Sequence, residues 1–401
     1  MKNTIFRMIG KIVLPIAAML SALSMSISVS AQPTGADLGI EEIIVFGRNT
    51  DLVGSAEAAS EGSIGGADLL VRPLFKVAEL LESMPGMVAV QHSGSGKANQ
   101  FFLRGFNLDH GTDYTVFVDG MPMNLRSHGH GQGYLDVNGL IPETVEQIDY
   151  RKGPYRADLG DFSMAGASFI HTINSLDDNF VSLESGQNGW NRVAGGVTQD
   201  LENGVLTFVG EYKQNDGPWQ KEEDLNHISL WSKYLRDTNF GQFMLSVSGY
   251  QADWDPTEQI PERAFGTAAC ADEFCTLDPA AEGETSRWIV TSELIGDDWG
   301  ATLYAQSYDW TMSSNPTYDY QINQFDKRWT IGGQIEKTLI EEMNFQIISG
   351  GDFRYDNGSR VGVEHTDRGV YVEDIAANES QEASYGAFVE ATWYATDSLR
   401  V

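Results

Sequence analysis

The larger, C-terminal part of the chain alternates apolar and polar side chains along successive segments. Leu206 and Phe208 fall on one face of the segment 205–212, whereas Thr207 and Glu211 fall on the other. A period of two is typical of β-strands whose two faces meet different surroundings. Lipid offers no hydrogen bonds to the backbone, so strands cross a membrane only in closed sheets. Apolar-outside, polar-inside strands therefore predict a transmembrane β-barrel.

The connections between these segments alternate in length. Short turns separate longer, more acidic connections, which we expect around residues 213–226, 251–284, 311–325 and 355–382. This asymmetry is typical of a barrel with turns at one rim and loops at the other, and a soluble β-sandwich gives no reason for it. About ten strands fit into residues 176–401. The sequence thus predicts an antiparallel barrel over these residues.

The first residues have the pattern of an export signal. A basic leader precedes the apolar stretch from Ile12 to Leu23, which is too short to span a bilayer. The small residues that end at Ala31 predict cleavage there, so residues 1–31 are expected to be a signal peptide rather than a membrane anchor. The chain carries a formal net charge of −31, which argues against nucleic acid as a partner.

A predicted linker, residues 32–66, follows the signal peptide and contains one apolar stretch at 41–47. The residues of this stretch are Glu41, Glu42, Ile43, Ile44, Val45, Phe46 and Gly47. β-Branched residues in a flexible acidic segment favour an extended peptide that adds as a strand to the edge of a partner's sheet. The alternative is a short strand that packs on the domain that follows.

Between Leu80 and Thr172, short β-type runs alternate with glycine turns. The motifs follow in the order Pro85-Gly86, Leu103-Arg104-Gly105, Val118-Asp119-Gly120, Lys152-Gly153-Pro154 and Ala165-Gly166. Asp119-Gly120 predicts a tight two-residue hairpin turn. This order of motifs resembles the plug domain of the TonB-dependent outer-membrane receptors. One departure is Lys152, which stands where the family usually has arginine.

The resemblance implies an α+β plug domain at residues 67–175, followed by an antiparallel barrel in the outer membrane of a Gram-negative bacterium. Plugged barrels of this kind have about 22 strands. We therefore expect residues 176–401 to be an incomplete barrel, a fragment truncated near mid-barrel that would not insert or transport alone. It implies active import of a specific substrate, without a cofactor and without enzymatic activity. The stretch 41–47 would be the TonB box, which binds the inner-membrane energy transducer TonB. Acidic outer loops favour a metal or a siderophore-like metal chelate as substrate. A carbohydrate or vitamin is the alternative substrate, and a passive porin is the alternative from another class.

By the same resemblance, two loops of the plug face outward and contact the substrate. The expected substrate-binding residues are Asn107, Asp109, His110, Arg126, His128, His130, Gln132 and Tyr134. His128 and His130 are flanked by glycines and form a flexible pair that could direct two imidazoles at one metal ion. The alternative is that both histidines hydrogen-bond the backbone.

Five further residues have expected structural roles. The resemblance implies that Arg104, with Arg151 or Lys152, locks the plug by pairing with glutamates of the barrel wall. We expect those glutamates to lie beyond Val401, so that the lock is not completed within this sequence. Lysine lacks the two-pronged donor geometry of arginine, which weakens such a lock.

Cys270 and Cys275 lie in the longest predicted outer loop. An oxidising compartment favours a disulfide between them over a metal pair.

Overall fold

Two groups of strands make up the described part of the chain. A computed structural model describes residues 60–70, 72, 74–396 and 399–401. All of them lie within one compact unit, Gly47–Val401. The predicted signal peptide, the predicted TonB box and most of the predicted linker lie outside the described residues. None of the helices in the described part is long and apolar enough to cross a membrane.

The first group of strands forms the plug, which begins inside the stretch predicted as linker. Its strands are β1 (Glu61–Gly65), β2 (Met87–Val90), β3 (Gln100–Leu103), β4 (Phe106–Asn107), β5 (Tyr114–Val118), β6 (Met121–Pro122), β7 (Asn124–Leu125), β8 (Tyr134–Leu135), β9 (Val145–Lys152) and β10 (Gly166–Thr172). Helix α1 spans Gly66–Leu70, and 3₁₀ helices span Val77–Ser83 and Pro142–Thr144. The main sheet has the order β1-β9-β10-β5-β6, in which only β10 and β5 are parallel.

The plug folds around its own apolar core. Ile64, Phe101, Tyr114 and Ile148 are each at most 1% exposed and belong to one cluster of contacting side chains. The predicted hairpin turn at Asp119-Gly120 is confirmed, because Val118 pairs directly with Met121. Both turn residues have positive φ, 43° and 76°, as the twist of a two-residue hairpin requires.

The second group of strands forms one antiparallel sheet, called the barrel sheet below. Its strands are β11 (Phe180–Ser185), β12 (Asn191–Leu201), β13 (Gly204–Asn215), β14 (Leu225–Thr238), β15 (Gly241–Trp254), β16 (Gly283–Ile295), β17 (Trp299–Ser314), β18 (Gln321–Glu342), β19 (Phe345–Asp367), β20 (Val370–Thr396) and β21 (Leu399–Arg400). Each strand pairs with the next along the chain. The prediction of a plug followed by about ten long antiparallel strands is confirmed.

The predicted two-faced pattern of the barrel sheet is also confirmed. Leu206 and Phe208 are 38% and 44% exposed, whereas Thr207 and Glu211 are almost fully buried. Side chains on the buried face contact the plug, and the exposed face carries the apolar residues. The sheet therefore turns its polar face inward.

One predicted loop is wrong. Residues 355–382, expected to be a long connection, form instead the second half of β19 and the first half of β20, joined by the two-residue turn Arg368-Gly369. Residues 370–379 are exposed on both faces. Because neither face of this extension is buried, the two-residue alternation that marks the other strands is absent here. The turn residues have φ of 50° and 78°, the same geometry as at Asp119-Gly120.

Candidate functional site

Three loops of the plug meet below the connection between β15 and β16, and each contributes one histidine. The ring centroids of His92 and His110 lie 5.1 Å apart. Those of His110 and His130 lie 4.7 Å apart, with ring planes at 75°. Gln259, from the β15–β16 connection, places its Nε2 atom 3.4 Å from His92 Nδ1. We call these three imidazoles the histidine cluster.

His110 is held by the backbone of a neighbouring plug loop. Its Nδ1 atom lies 3.0 Å from the carbonyl oxygens of both Ala98 and Asn99. Carbonyl oxygens only accept, so Nδ1 carries the proton and Nε2 keeps a free lone pair. The carboxylate of Asp109 lies 3.8 Å from that Nε2 atom.

His130 has the same tautomer for a different reason. Its Nδ1 atom lies 2.9 Å from Oε1 of Gln324 on β18. The Gln324 amide is oriented by its Nε2 group, which donates to the carbonyl of Gly129 at 3.1 Å. Oε1 therefore accepts from His130 Nδ1–H, and the lone pair of His130 is left on Nε2.

His128 is arranged differently from the other histidines. Its Nδ1 atom accepts a hydrogen bond of 3.0 Å from the backbone N–H of His130, so its proton is on Nε2. That Nε2 atom is buried and has no hydrogen-bond partner among the described residues. The ring stacks on Tyr134 with centroids 3.9 Å apart and lies 4.9 Å from the Trp310 ring. The histidine with a free lone pair that lies beside His130 is thus His110, not the predicted His128.

Burial keeps the histidine cluster uncharged. Loss of hydration, together with the charge of Lys97, lowers the pKa of His92 and of His130 to about 4 and that of His110 to about 2. Lys97 is 2% exposed, and burial lowers its own pKa to about 8 against the attraction of Glu258. Its ammonium group makes no ion pair or side-chain hydrogen bond with any described residue. The cluster is therefore neutral imidazole beside a buried cation.

Sequence analysis missed Lys97, Asn99 and His92. Lys97 follows the glycine-rich stretch at 94–96, which packs flat against the indole of Trp254. A Cβ atom at Gly94 or Gly96 would overlap that ring. The sequence shows only a glycine–lysine loop that lacks the rest of a phosphate-binding motif. That pattern does not indicate packing against a tryptophan about 160 residues away.

The other predicted substrate residues are spread over the plug. Asn107 and Gln132 are exposed, and Asn107 accepts a 2.8 Å hydrogen bond from the backbone of Asp109. Tyr134 is buried and accepts from the backbone N–H of Ala98 at 2.9 Å. Arg126 pairs with Asp161 at 3.3 Å and lines a cavity of about 710 Å³ between the plug and the barrel sheet. The structure brings together His110, His128, His130, Tyr134 and Asp109, but not the whole predicted set.

Among the described residues, none of the three cations predicted to lock the plug forms an ion pair within 4.0 Å with a glutamate of the barrel sheet. Arg104 is exposed in the β3–β4 turn, where its φ is 53°, and it has no ion pair with a described residue. Arg151 pairs with Asp158 of the plug at 2.8 Å. Lys152 lies 4.9 Å from the centre of the Tyr150 ring. Local partners within the plug therefore occupy two of these three groups.

The barrel sheet supplies the cations instead. Arg287 on β16 donates to the carbonyls of Asp136 and Met123 at 2.7 and 2.9 Å. Arg192 on β12 forms a two-pronged ion pair with Glu143, with contacts of 2.8 and 2.6 Å. Two further contacts of this kind are Lys233 with Asp119, at 3.2 Å, and Arg354 with the carbonyl of Asn124, at 2.9 Å. Cations of the barrel sheet, which forms the wall around the plug, thus bind acceptors of the plug and join the plug to the sheet.

One plug arginine does contact the wall. Arg156 donates to Glu390 on β20 at 3.1 Å and to Glu61 on β1 at 3.3 Å. The second carboxylate oxygen of Glu390 accepts from the backbone N–H of Ala157 at 2.9 Å. Glu390 therefore holds the loop after β9 through two atoms.

We predict that Glu390→Gln loosens this loop by about 1–2 kcal/mol, because a charge-assisted contact becomes a neutral one. Hydrogen exchange at the amide of Ala157 should then accelerate by roughly tenfold. Glu379→Gln, an exposed position on the same strand, is the matched control and should leave that rate unchanged. Equal exchange rates in both variants would show that the carboxylate does not hold the loop.

Cys270 and Cys275 are joined by a disulfide, with Cα atoms 5.2 Å apart. Beside this bridge, the β13–β14 connection pairs with the β15–β16 connection. The backbone N–H of Gln220 donates to the carbonyl of Phe274 at 2.7 Å, and Lys221 donates to that of Ala281 at 2.9 Å. The disulfide thus lies in the β15–β16 connection, which covers the histidine cluster.

A comparison with known families identifies the first group of strands. Residues 55–167 match the family model described as TonB-dependent Receptor Plug Domain. The chain therefore contains the plug domain of a TonB-dependent receptor, and the strands that follow match part of the barrel of such receptors.

Solved structures with the same fold are larger than this chain. The chain is similar to the ferric citrate transporter FecA, with a TM-score of 0.67 and 14% identity over 85% of this chain and 61% of that one. It is similar to the copper transporter OprC, with a TM-score of 0.62 and 16% identity over 86% of this chain and 54% of that one. The siderophore receptor PirA from Acinetobacter baumannii gives a TM-score of 0.57 and 16% identity over 85% and 55%. At these identities the likeness establishes the fold.

Proposed function

We propose that this protein acts in the outer membrane as a receptor that imports a metal or metal chelate with energy delivered by TonB. The observation that carries this proposal is the histidine cluster. Two of its rings, His110 and His130, keep free Nε2 lone pairs on the face of the plug that the outer connections cover. The fold neighbours include a copper transporter, a ferric citrate transporter and a siderophore receptor, which supports a metal-bearing cargo.

The import cycle needs no covalent chemistry. Cargo binds the outer face of the plug, and the stretch 41–47 adds as a strand to TonB on the other side of the membrane. Force on this stretch acts first on β1, the edge strand of the plug sheet. Glu61 on β1 contacts Arg156, and Arg156 contacts the wall, so displacement of β1 weakens one tie between plug and wall.

A proline in the proposed TonB box tests the proposal. Ile44→Pro removes an N–H group that strand addition needs, and we expect energised accumulation of metal to fall by at least about tenfold. Cells that carry the receptor are supplied with iron, copper and zinc, free and as chelates, and cell-associated metal is measured at 37 °C and on ice. Thr50→Pro, in the same linker but outside the box, is the control and should transport normally.

Each alternative gives a different result in this assay. Equal accumulation in wild-type and Ile44→Pro cells would indicate passive diffusion, as in a porin. Energised accumulation of a carbohydrate or vitamin, without any metal, would keep the receptor and replace its substrate. Binding on ice that survives in Ile44→Pro would show that only the energised step was lost.

A further inference from the structure

We infer that His110, His130 and Lys97 form a subsite for an anionic metal chelate that has two exchangeable coordination positions. A bare metal ion is not its preferred ligand. This inference rests on the proposed import function and specifies its substrate class. Three independent features of the subsite support it.

The first feature is the geometry of the imidazole pair. The rings of His110 and His130 lie 4.7 Å apart and nearly perpendicular. Two neighbouring positions on an octahedral metal ion are separated by about 3 Å when each metal–nitrogen bond is about 2.1 Å. Each Nδ1–H group is held by an oxygen acceptor, which fixes the ring and leaves Nε2 to ligate, as in metal sites with an outer hydrogen-bonded shell.

The second feature is the shortage of further ligands. Among the described residues, no three His, Cys, Asp or Glu side chains are arranged to hold one metal ion. Two imidazoles alone leave most of a coordination shell empty. A cargo that brings its own ligands, a chelate, would complete the shell around this imidazole pair.

The third feature is the buried charge beside the pair. Lys97 directly precedes Ala98, whose carbonyl holds His110, and its ammonium group has no partner among the described residues. The Asn99 Nδ2 group is also buried without a partner in the described part of the chain. The Lys97 cation repels a bare metal cation. The Lys97 ammonium group and the Asn99 amide both need hydrogen-bond acceptors, so they favour a ligand with anionic or carbonyl oxygens.

The connection between β15 and β16 places Glu258 opposite Lys97. Its Oε1 atom is buried without a hydrogen bond to any described residue, and no ion pair within 4.0 Å joins it to Lys97. Glu258 thus faces the cation without neutralising it at close range. The negative charge of Glu258 attracts Lys97 and repels an incoming anion, so Glu258 competes with the cargo for Lys97.

Binding is then a ligand exchange. Two labile ligands, such as water molecules, leave the metal of the chelate, and the Nε2 lone pairs of His110 and His130 take their positions. No proton is released and no electron is transferred, because both Nε2 atoms are already unprotonated. Oxygens of the chelator accept hydrogen bonds from Lys97 and Asn99.

The test compares two forms of one metal on the purified receptor. Nickel(II)–nitrilotriacetate carries one negative charge and two exchangeable neighbouring positions, whereas aqueous Ni²⁺ is a bare cation. We expect the wild-type receptor to bind the chelate more tightly than the ion in calorimetry. The visible absorption of the metal should shift as imidazole replaces water. His130→Gln should weaken chelate binding by about tenfold or more, whereas His171→Gln, a plug histidine outside the cluster, should not.

Lys97 gives the sharper result, because the two probes should respond in opposite directions. Lys97→Met should weaken chelate binding by roughly tenfold and leave binding of aqueous Ni²⁺ unchanged or tighter. Lys97→Arg should restore chelate binding. Glu258→Gln should tighten chelate binding. The inference would be overturned if Lys97→Met lost binding of both the chelate and aqueous Ni²⁺, or if it kept binding of both. So would a wild-type receptor that binds no chelate, even if its transport still depends on Ile44.

Discussion

Replacing Arg287 by methionine is expected to weaken the attachment of the plug to the barrel sheet by about 3–5 kcal/mol. The guanidinium is 1% exposed and donates to the carbonyls of Asp136 and Met123 and to the side chain of Gln306, at 2.7, 2.9 and 2.9 Å. Methionine fills a similar volume but leaves all three acceptors unsatisfied. The buried carboxylate of Asp136, which accepts from Tyr250, would also lose its nearest cation.

Conductance across a planar bilayer measures this loss, because a loosened plug lets ions pass. Receptor with Arg287→Met should show frequent open events and faster protease cleavage of the plug. Lys337→Met is the matched control, since Lys337 also lies on the barrel sheet but its pair with Asp298 is half exposed. The control should cost at most about 1 kcal/mol and stay closed. Identical conductance in both variants would show that Arg287 does not hold the plug.

The second large effect is expected at Gly96. A Cβ atom there would overlap the six-membered ring of Trp254, so Gly96→Ala must displace either the indole or the loop. Trp254 is 2% exposed and donates from Nε1 to the carbonyl of Ser93 at 3.1 Å, which leaves it little room. Overpacking of this kind costs about 1–3 kcal/mol. The adjacent Lys97 should shift with the loop, so that chelate binding falls as well.

Tryptophan fluorescence reports the displacement of the indole, and nickel–chelate binding reports the shift of Lys97. Gly160→Ala is the control, because a Cβ atom there meets no neighbour within 4 Å. Adding Trp254→Ala to Gly96→Ala removes the overlap and should restore part of the chelate affinity. If Gly96→Ala behaves like Gly160→Ala, the close contact between loop and indole does not exist in solution.

Local sequence was sufficient for much of the fold. Asp119-Gly120 predicted its hairpin because few other residue pairs accept two successive positive φ values. The alternation around Leu206 and Thr207 predicted a sheet with one buried face. The same reasoning failed at residues 370–379 of β20, where both faces are solvated and no alternation remains to be seen. The turn Arg368-Gly369 could have been inferred from its likeness to Arg104-Gly105, which makes the β3–β4 turn.

The candidate site was less accessible to sequence reasoning. His128 and His130 are neighbours in the chain, so they were the natural pair, yet one backbone N–H places the proton of His128 on Nε2. The pairing of His130 with His110 depends on the folding of separate loops and on the orientation of Gln324. The burial of Lys97 depends on Trp254, far away in sequence. Tautomers and long-range packing of this kind leave no local pattern.

The roles of the plug cations depended on partners that sequence does not show. The glutamates expected to pair with Arg104 and Arg151 were placed beyond Val401, so that lock stays a prediction. Among the described residues, Asp158 pairs with Arg151 within the plug, and cations of the barrel sheet such as Arg287 approach acceptors on the plug. The pair of Arg156 with Glu390 has the opposite arrangement, so the contacts between plug and barrel sheet use cations from both sides.

The most direct test of the proposed import of metal-bearing cargo is elemental analysis of the receptor after exposure to medium conditioned by its own cells. Wild-type receptor should retain about one transition-metal atom per molecule, together with an anionic chelator, and His110→Gln/His130→Gln should retain far less. Equal metal in both proteins would contradict a role for the histidine pair. A wild-type receptor that carries an organic ligand and no metal would contradict the proposed cargo itself.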